Sequence, residues 1–343
     1  MKKSFTVAML VLASLLTFIA FTLITTGFFR EINNSNNYEV IAKMPLPGAE
    51  DITISYEDQF MIISQDDRAA KYRDRKRMGG LYKLDLSQED YVPIKLKSTV
   101  PLFPHGISLL KMDSNRYQLL VVNHYKRHTI EKFELIGDSL VHIRTYEDPN
   151  LISPNDVVIL DQNRFYFTND HRYTSGLPLL AENYLGLNLS NVVLFDGNTY
   201  KEVAGGIGYA NGINLSADRS QLLVASPRKF CLKFYDIADD GSVSLDRNID
   251  VASGIDNIEL DQQGNLWMGS HPSLLAFTAY AAGKKPEAPS EIIKVSMNDE
   301  VSSLYENDGT TIAASSVVAP FEDLLFVGTV MDEYLYVLKK KGD

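Results

Sequence analysis

Apolar residues fall in short runs along most of this chain, and turn-forming residues bound each run. Residues 60–63, 118–122, 163–168, 221–225 and 265–269 each follow a cluster of Asp, Asn or Gly, the pattern of β-strands entered from tight turns. A helical period of 3.6 is rare. The exception is 177–193, where Leu179, Leu180, Tyr184, Leu185 and 187–189 follow Pro178 and predict a short amphipathic helix, placed to cover one face of the fold as a lid. Six strands open on a polar or small pair before a β-branched residue: Glu50-Asp51-Ile52, His105-Gly106-Ile107, Asn155-Asp156-Val157, Asn211-Gly212-Ile213, Asp256-Asn257-Ile258 and Ser315-Ser316-Val317. These pairs start 45 to 59 residues apart, about one four-stranded blade per interval, so the spacing predicts an all-β fold, a six-bladed β-propeller. Apolar segments at 324–330 and 334–338, with a strand near 38–41, are expected to complete the last blade from both ends of the chain. In such a ring the first strand of each blade lines the axis. Polar pairs at its mouth converge from blades far apart in sequence, and carboxylates and amides gathered this way suit a hard cation.

The N-terminal stretch follows another rule. Met1-Lys2-Lys3 precedes an uncharged run over 4–29, which as a helix extends about 39 Å and so crosses a hydrocarbon core of about 30 Å. The run is long for the apolar part of a signal peptide, and only Thr25-Thr26-Gly27 offers small residues near its end. Residues 1–30 are therefore read as an uncleaved signal anchor or transmembrane segment, with cleavage and a secreted domain as the alternative. Lysines ahead of the run, and only Arg30 close behind it, put the N-terminus in the cytoplasm and the domain outside it, periplasmic or extracellular. Residues 31–37, rich in Asn, read as a polar tether, and 38–343 as the propeller.

Charge narrows the partners. Beyond residue 30 there are 30 basic against 44 acidic residues, a net charge of −14, which argues against nucleic acid. One basic run breaks this balance: Arg68, Lys71, Arg73, Arg75, Lys76 and Arg77 read as a solvated loop, with contact to anionic lipid or an anionic partner as the alternative. Cys231 is the only cysteine, so no intrachain disulfide staples the fold, and the thiol is expected to be a buried small hydrophobe. Gly205-Gly206-Ile207-Gly208 lacks the last glycine of a dinucleotide fingerprint and reads as a turn. No serine lies in a Gly-x-Ser-x-Gly elbow and no His-Glu-x-x-His is present, which leaves serine-esterase and zinc-hydrolase mechanisms without sequence support.

At Phe103-Pro104-His105-Gly106-Ile107-Ser108 the chain resembles the paraoxonase family of calcium-dependent lactonases and arylesterases. Gly48-Ala49-Glu50-Asp51, Leu120-Val121-Val122-Asn123-His124, Pro154-Asn155-Asp156, Thr168-Asn169-Asp170-His171, Tyr184-Leu185-Gly186-Leu187, Ala210-Asn211-Gly212-Ile213-Asn214, Asp256-Asn257-Ile258 and Leu266-Trp267-Met268-Gly269-Ser270-His271-Pro272 are similar to family motifs in the same order. The resemblance implies a six-bladed propeller with an uncleaved N-terminal hydrophobic segment. It implies two Ca²⁺ ions: a catalytic one held by Glu50, Asn155, Asn211, Asp256 and Asn257, and a structural one held by Asp51, Asp156 and the main-chain oxygen of Ile107. It also implies a histidine pair, His105 and His124, that activates water. His171 and His271 match positions near the cavity, while His128 and His142 match no motif.

The expected activity is hydrolysis of a small-molecule lactone or aryl ester. The first ligand set carries two formal negative charges and three amides, an oxygen-rich shell that suits Ca²⁺ and not Zn²⁺, since no thiolate and no His pair at zinc spacing accompanies it. Two departures limit what carries over. The family's ring-closing disulfide has no counterpart, its C-terminal position being Val337, and the family's free cysteine before the His-Pro step is Ser270 here. Two other readings stand beside the hydrolase: a strictosidine-synthase-like propeller enzyme of another reaction class, and a non-catalytic binding propeller whose calcium is structural.

Overall fold

The protein is described by a computed structural model covering residues 2–34, 36–88 and 90–342. Six four-stranded antiparallel sheets surround a central axis. Blade 1 opens with Ala49–Ser55, blade 2 with Pro104–Asp113, blade 3 with Pro154–Ile159, blade 4 with Ile213–Leu215, blade 5 with Gly254–Leu260 and blade 6 with Ser315–Phe321. These are the six predicted starts. The last blade is closed by pairing Tyr38–Met44 antiparallel to Leu335–Lys340, so main-chain hydrogen bonds from opposite ends of the chain lock the ring. Val337 faces Ala42 in that ladder, so main-chain pairing joins the two ends of the chain where the family motif has its cross-link.

The apolar core lies in wedges between neighbouring blades. Between blades 6 and 1, for instance, Val317, Phe326 and Val337 pack against Ile52, Met61 and Ile63, all fully buried. The second strand of a blade is covered on both faces, which is why Phe60–Asp66 is buried along its whole length and reads as a continuous run instead of an alternating one.

The polar pairs face the axis because of a local irregularity. In a regular strand, neighbouring side chains point to opposite faces. In five of the six first strands the register slips at the pair: between Ala49 and Asp51, Pro104 and Ile107, Pro154 and Val157, Ile255 and Ile258, and Ser315 and Val317. Such a bulge bends the strand and re-aims the side chains. Two pairs contain glycine for a steric reason. A Cβ on Gly106 would stand 2.1 Å from Asp156 Oδ1 of the next blade, and one on Gly212 would stand 2.3 Å from the Asp256 carbonyl oxygen.

Among the described residues three α-helices decorate the ring: α1 (Lys2–Thr25), α2 (Gly176–Leu185) and α3 (Leu274–Ala281). The helix expected over 177–193 stops early, since Gly186 takes a left-handed C-cap (φ 61°) and Ser190–Phe195 is the third strand of blade 3. The β-branched content of Asn191-Val192-Val193 outweighs the leucine spacing before it. Helix α1 is long and apolar enough over Phe5–Thr25 to cross a membrane and is mostly uncovered. Its C-terminal end docks on the propeller: Thr22 Oγ1 donates to the Tyr184 carbonyl (3.2 Å), Leu274 N–H to the Thr26 carbonyl (2.9 Å), and Arg228 Nη1 to the Thr25 carbonyl (2.9 Å). Arg30 pairs with Glu291 and Glu306. Of the segment read as a tether, Asn33, Asn34 and Asn36 bond to blade 5 and the turn after it, and Ser35 lies outside the described residues.

The basic run is not a free cationic surface. Arg73 and Arg75 clamp Glu333 at 2.8 and 3.0 Å, Arg75 also reaches Asp67 at 2.6 Å, and Arg77 forks onto Asp66. Cys231 is only partly covered, at the start of the third strand of blade 4, where its neighbours are polar.

Candidate active site and metal centres

Two cavities meet the axis from opposite sides, and they divide the predicted ligands between them. The upper cavity, about 370 Å³, is lined by Glu50, Asn155, Asn211 and Asp256 together with His105, His171 and His271. Asn257 joins this set through Glu50, donating from Nδ2 to its carbonyl (2.9 Å) and to its Oε1 (3.2 Å). The lower cavity, about 240 Å³, is lined by Asp51, Ile107 and Asp156. Main-chain amides hold its two predicted carboxylates: Ile107 N–H donates to Asp51 Oδ2 (2.7 Å), and Ile213 N–H, from outside the predicted set, to Asp156 Oδ2 (2.8 Å).

Whether these residues fit a cation is tested by their unpaired oxygens. Glu50 Oε2, Asn155 Oδ1, Asn211 Oδ1 and Asn257 Oδ1 are buried without a hydrogen-bond partner. Each orphaned acceptor costs about 1–3 kcal/mol, and four from four different blades aimed into one region are what an oxygen-seeking ion satisfies,. Among the described residues no three His, Cys, Asp or Glu side chains form a metal cluster by themselves. The donor set depends on amides.

Charge gives the same indication. Burial drives the carboxyls of Asp51 and Asp156 well above the ordinary range, and neighbouring carboxylates, Asp156 and Glu50 beside Asp51, add to this. Asp256 is also pushed up by burial, against the pull of His271 at 3.2 Å. Glu50 escapes: burial acts to raise it, but His105 and Arg68 prevail and hold it at about 2. Buried like charges facing one another need a counter-charge.

The histidines form a chain that the sequence reading only half anticipated. His105 Nε2 meets Glu50 Oε1 at 3.1 Å, His105 Nδ1 meets His124 Nε2 at 2.9 Å, and His124 Nδ1 meets His128 Nδ1 at 2.8 Å. Three imidazoles therefore lead from the ligand set to exposed His128. Burial and the imidazoles of His105 and His128 hold His124 well below its usual value, so the middle ring is neutral at pH 7. His128 had no motif to flag it, although a short turn brings residues 124 and 128 together at the end of two paired strands. Both ring nitrogens of His105 are engaged, so it meets a water only after Nε2 leaves Glu50.

His171 and Asp170 make a separate ion pair. Asp170 Oδ1 takes His171 Nδ1 at 2.7 Å and the Ser153 hydroxyl at 2.5 Å, and Asn183 Oδ1 faces the other ring nitrogen at 2.8 Å. Burial opposes the charge on His171, but Asp170 outweighs it and raises the imidazolium to about 9. A folded value above the ordinary 6.5 means the pair's stabilisation is full below pH 6.5 and is lost as pH rises through about 9. The melting temperature of the wild type should therefore fall more steeply between pH 6.5 and 9 than that of His171→Gln. Parallel curves for the two proteins would show that this pair does not form in solution.

His142 belongs to none of this. It bonds Glu131 at 2.9 Å on the outer strands of blade 2. Further groups appear only in three dimensions: Glu259 lines the lower cavity, and Arg68 and Arg228 line the upper one. For Glu259 the signal was the two-residue alternation from Asn257.

A sequence model described as Arylesterase matches residues 74–338. Human serum paraoxonase/arylesterase 1 is 31% identical over 272 residues, covering 75% of this chain and 76% of that protein. Among solved structures, a luciferin-regenerating enzyme superposes with a TM-score of 0.57 at 16% identity, covering 90% of this chain and 96% of that one. A calcium-binding regucalcin from Agrobacterium tumefaciens gives 0.52 at 11% identity, with 89% and 94% covered.

Proposed function

The chain belongs to the arylesterase family, and from that premise we propose that it is a calcium-dependent hydrolase of lactones and aryl esters. The observation that carries this reading is the set of four orphaned oxygens at Glu50, Asn155, Asn211 and Asn257 beside an imidazole chain. With Asp256 they suit one Ca²⁺, and Asp51, Asp156 and Ile107 suit a second, structural one. The first ion supplies a Lewis acid for the scissile carbonyl.

The chain's own groups do the rest. Leu274, Leu275, Phe277 and Val330 give the cavity an apolar wall against which an acyl or aryl group excludes water,. Against ionised Glu50 the His105 Nε2 carries a proton, so the step uses the other tautomer: His105, released from Glu50 and holding its proton on Nδ1, takes a proton from attacking water on Nε2 and passes the Nδ1 proton to His124 Nε2. His124 hands its Nδ1 proton to His128 Nδ1, and His128 releases one from Nε2 to solvent. Each ring ends neutral with its tautomer reversed, so the proton balance closes.

Helix α1 anchors the enzyme in a membrane in this proposal, with the propeller outside the cytoplasm and the cavity close to the bilayer. Membranes from cells expressing the full chain should carry hydrolysis of phenyl acetate and a simple δ-lactone that is lost with chelator and restored by calcium. Externally added protease should remove that activity. Chelator-resistant hydrolysis would sink calcium dependence, and activity confined to the soluble fraction would sink the anchor.

A further inference from the structure

We propose that the substrate carries, remote from the bond to be cleaved, a carboxylate that seats against Arg228 on the wall of the upper cavity. The proposal rests on the hydrolase reading and names the class of ester or lactone it acts on: half-esters of dicarboxylic acids and lactones bearing a free acid.

Arg228 sits in the short 3₁₀ turn Pro227–Lys229 that follows the second strand of blade 4. Its guanidinium is tied down by neutral acceptors alone. Nε donates to the Asn183 carbonyl (3.2 Å), and Nη1 to the Thr25 carbonyl (2.9 Å) and hydroxyl (3.1 Å). Nη2 is buried with no partner. Among the described residues no carboxylate pairs with it, and burial is the influence that lowers its pKa from the ordinary arginine value. A guanidinium held this way is already oriented, and its remaining N–H groups match an oxygen-rich anion better than any other group.

The rest of the cavity does not supply that anion. Asp170 is taken by His171. Glu50 and Asp256 carry the two charges that a dication in the ligand set would balance. Arg68, from blade 1, has both Nη atoms buried without hydrogen bonds; its nearest carboxylate oxygens are Asp66 Oδ2 at 3.6 Å and Glu50 Oε2 at 3.8 Å, and Asp66 is already forked by Arg77. With an ion in place the cavity is left with two guanidiniums in excess. A neutral lipophilic ester leaves both uncompensated, whereas an acid-bearing one satisfies Arg228 and is drawn in by Arg68.

Arg228 also caps the C-terminal end of α1, so the test separates binding from docking. The full calcium-loaded chain is assayed on phenyl hydrogen glutarate and on phenyl pentanoate, which match in length and differ in the terminal charge. The wild type should show kcat/KM at least tenfold higher for the acid. Arg228→Gln should lower the acid-to-neutral ratio at least tenfold, chiefly through KM, and Arg228→Lys should restore part of it. A ratio measured within one variant is insensitive to how much protein is correctly docked. In parallel, millimolar glutarate should raise the melting temperature of the wild type and not of Arg228→Gln. Equal turnover of both esters, or a ratio unchanged in Arg228→Gln, overturns the carboxylate site and leaves the hydrolase standing. If neither ester is cleaved while glutarate still stabilises the protein through Arg228, the hydrolase reading fails and the anion site stands.

Discussion

Asp256→Asn is expected to abolish hydrolysis of aryl esters and lactones alike, by at least about 10²- to 10³-fold in kcat/KM. The change keeps the shape of a side chain that is 4% exposed, but it removes one of the two formal charges in the upper ligand set. Whatever stabilises the developing oxyanion serves every substrate, because every acyl transfer passes through that charge. His105→Gln should behave differently. A general base contributes roughly 10²- to 10⁴-fold, and an aryl ester with a good leaving group needs less of it than a lactone, so the loss should be larger for the lactone. His128→Gln should cost less than His105→Gln, and added imidazole should recover part of it, since only the outer step of proton release is interrupted. The comparison is steady-state kinetics of the four proteins on both substrate classes at saturating calcium. Full lactonase activity in Asp256→Asn would end the case for an electrophilic ion in the upper set and favour the binding propeller.

Chelation should lower the melting temperature of the wild type strongly, and Asp51→Asn or Asp156→Asn should remove most of that response. Both carboxylates are buried, at 3% and 4% exposure, with carboxyls pushed up by burial and further by nearby carboxylates, Asp156 and Glu50 for Asp51, and Glu50 and Asp256 for Asp156. Losing the partner of a buried charge costs about 3–5 kcal/mol, which in a protein of this size is on the order of 10 °C. The sign of the pH dependence follows. A folded carboxyl raised above its unfolded value contributes stability at low pH that disappears as pH climbs through the folded value, so the chelated wild type should weaken from acid towards neutral pH. Asparagine at position 51 removes the repulsion, so it should destabilise the calcium-loaded protein and relieve the chelated one. Scanning calorimetry of wild type and Asp51→Asn, with calcium and with chelator, reads all four states. If chelator leaves the wild-type transition unmoved at pH 7, the lower set holds no stabilising ion.

Some of this architecture is local in origin and so was readable from the chain. Six polar pairs at blade-like spacing marked the six innermost strands, because turn chemistry and alternation act within a few residues. The same holds for α1, whose length and lack of charge are properties of one segment. The helix expected over 177–193 overran because leucine spacing describes a face and not an endpoint. The helix ends at Gly186, and the strand that follows is chosen by its pairing with Phe165–Asn169.

The sequence by itself determined the blade count, the closure of the ring by its two ends, and which oxygen-bearing side chains stand at the strand mouths. Each follows from periodicity, turn residues and hydrophobicity within a segment. Only the tertiary structure decided that Glu50 and Asp51, adjacent in the chain, serve opposite cavities. A bulge sets that division, and so does the approach of the next blade against Gly106. It also decided that Arg73, Arg75 and Arg77 of the basic run spend their charge on Asp66, Asp67 and Glu333, that His128 extends the histidine pair to solvent, and that Arg228, with its Nη2 buried, has no acid beside it among the described residues. These outcomes depend on distances between residues up to 260 apart in sequence, as for Arg73 and Glu333, which are fixed when the ring closes and carry no signature in any single stretch of chain.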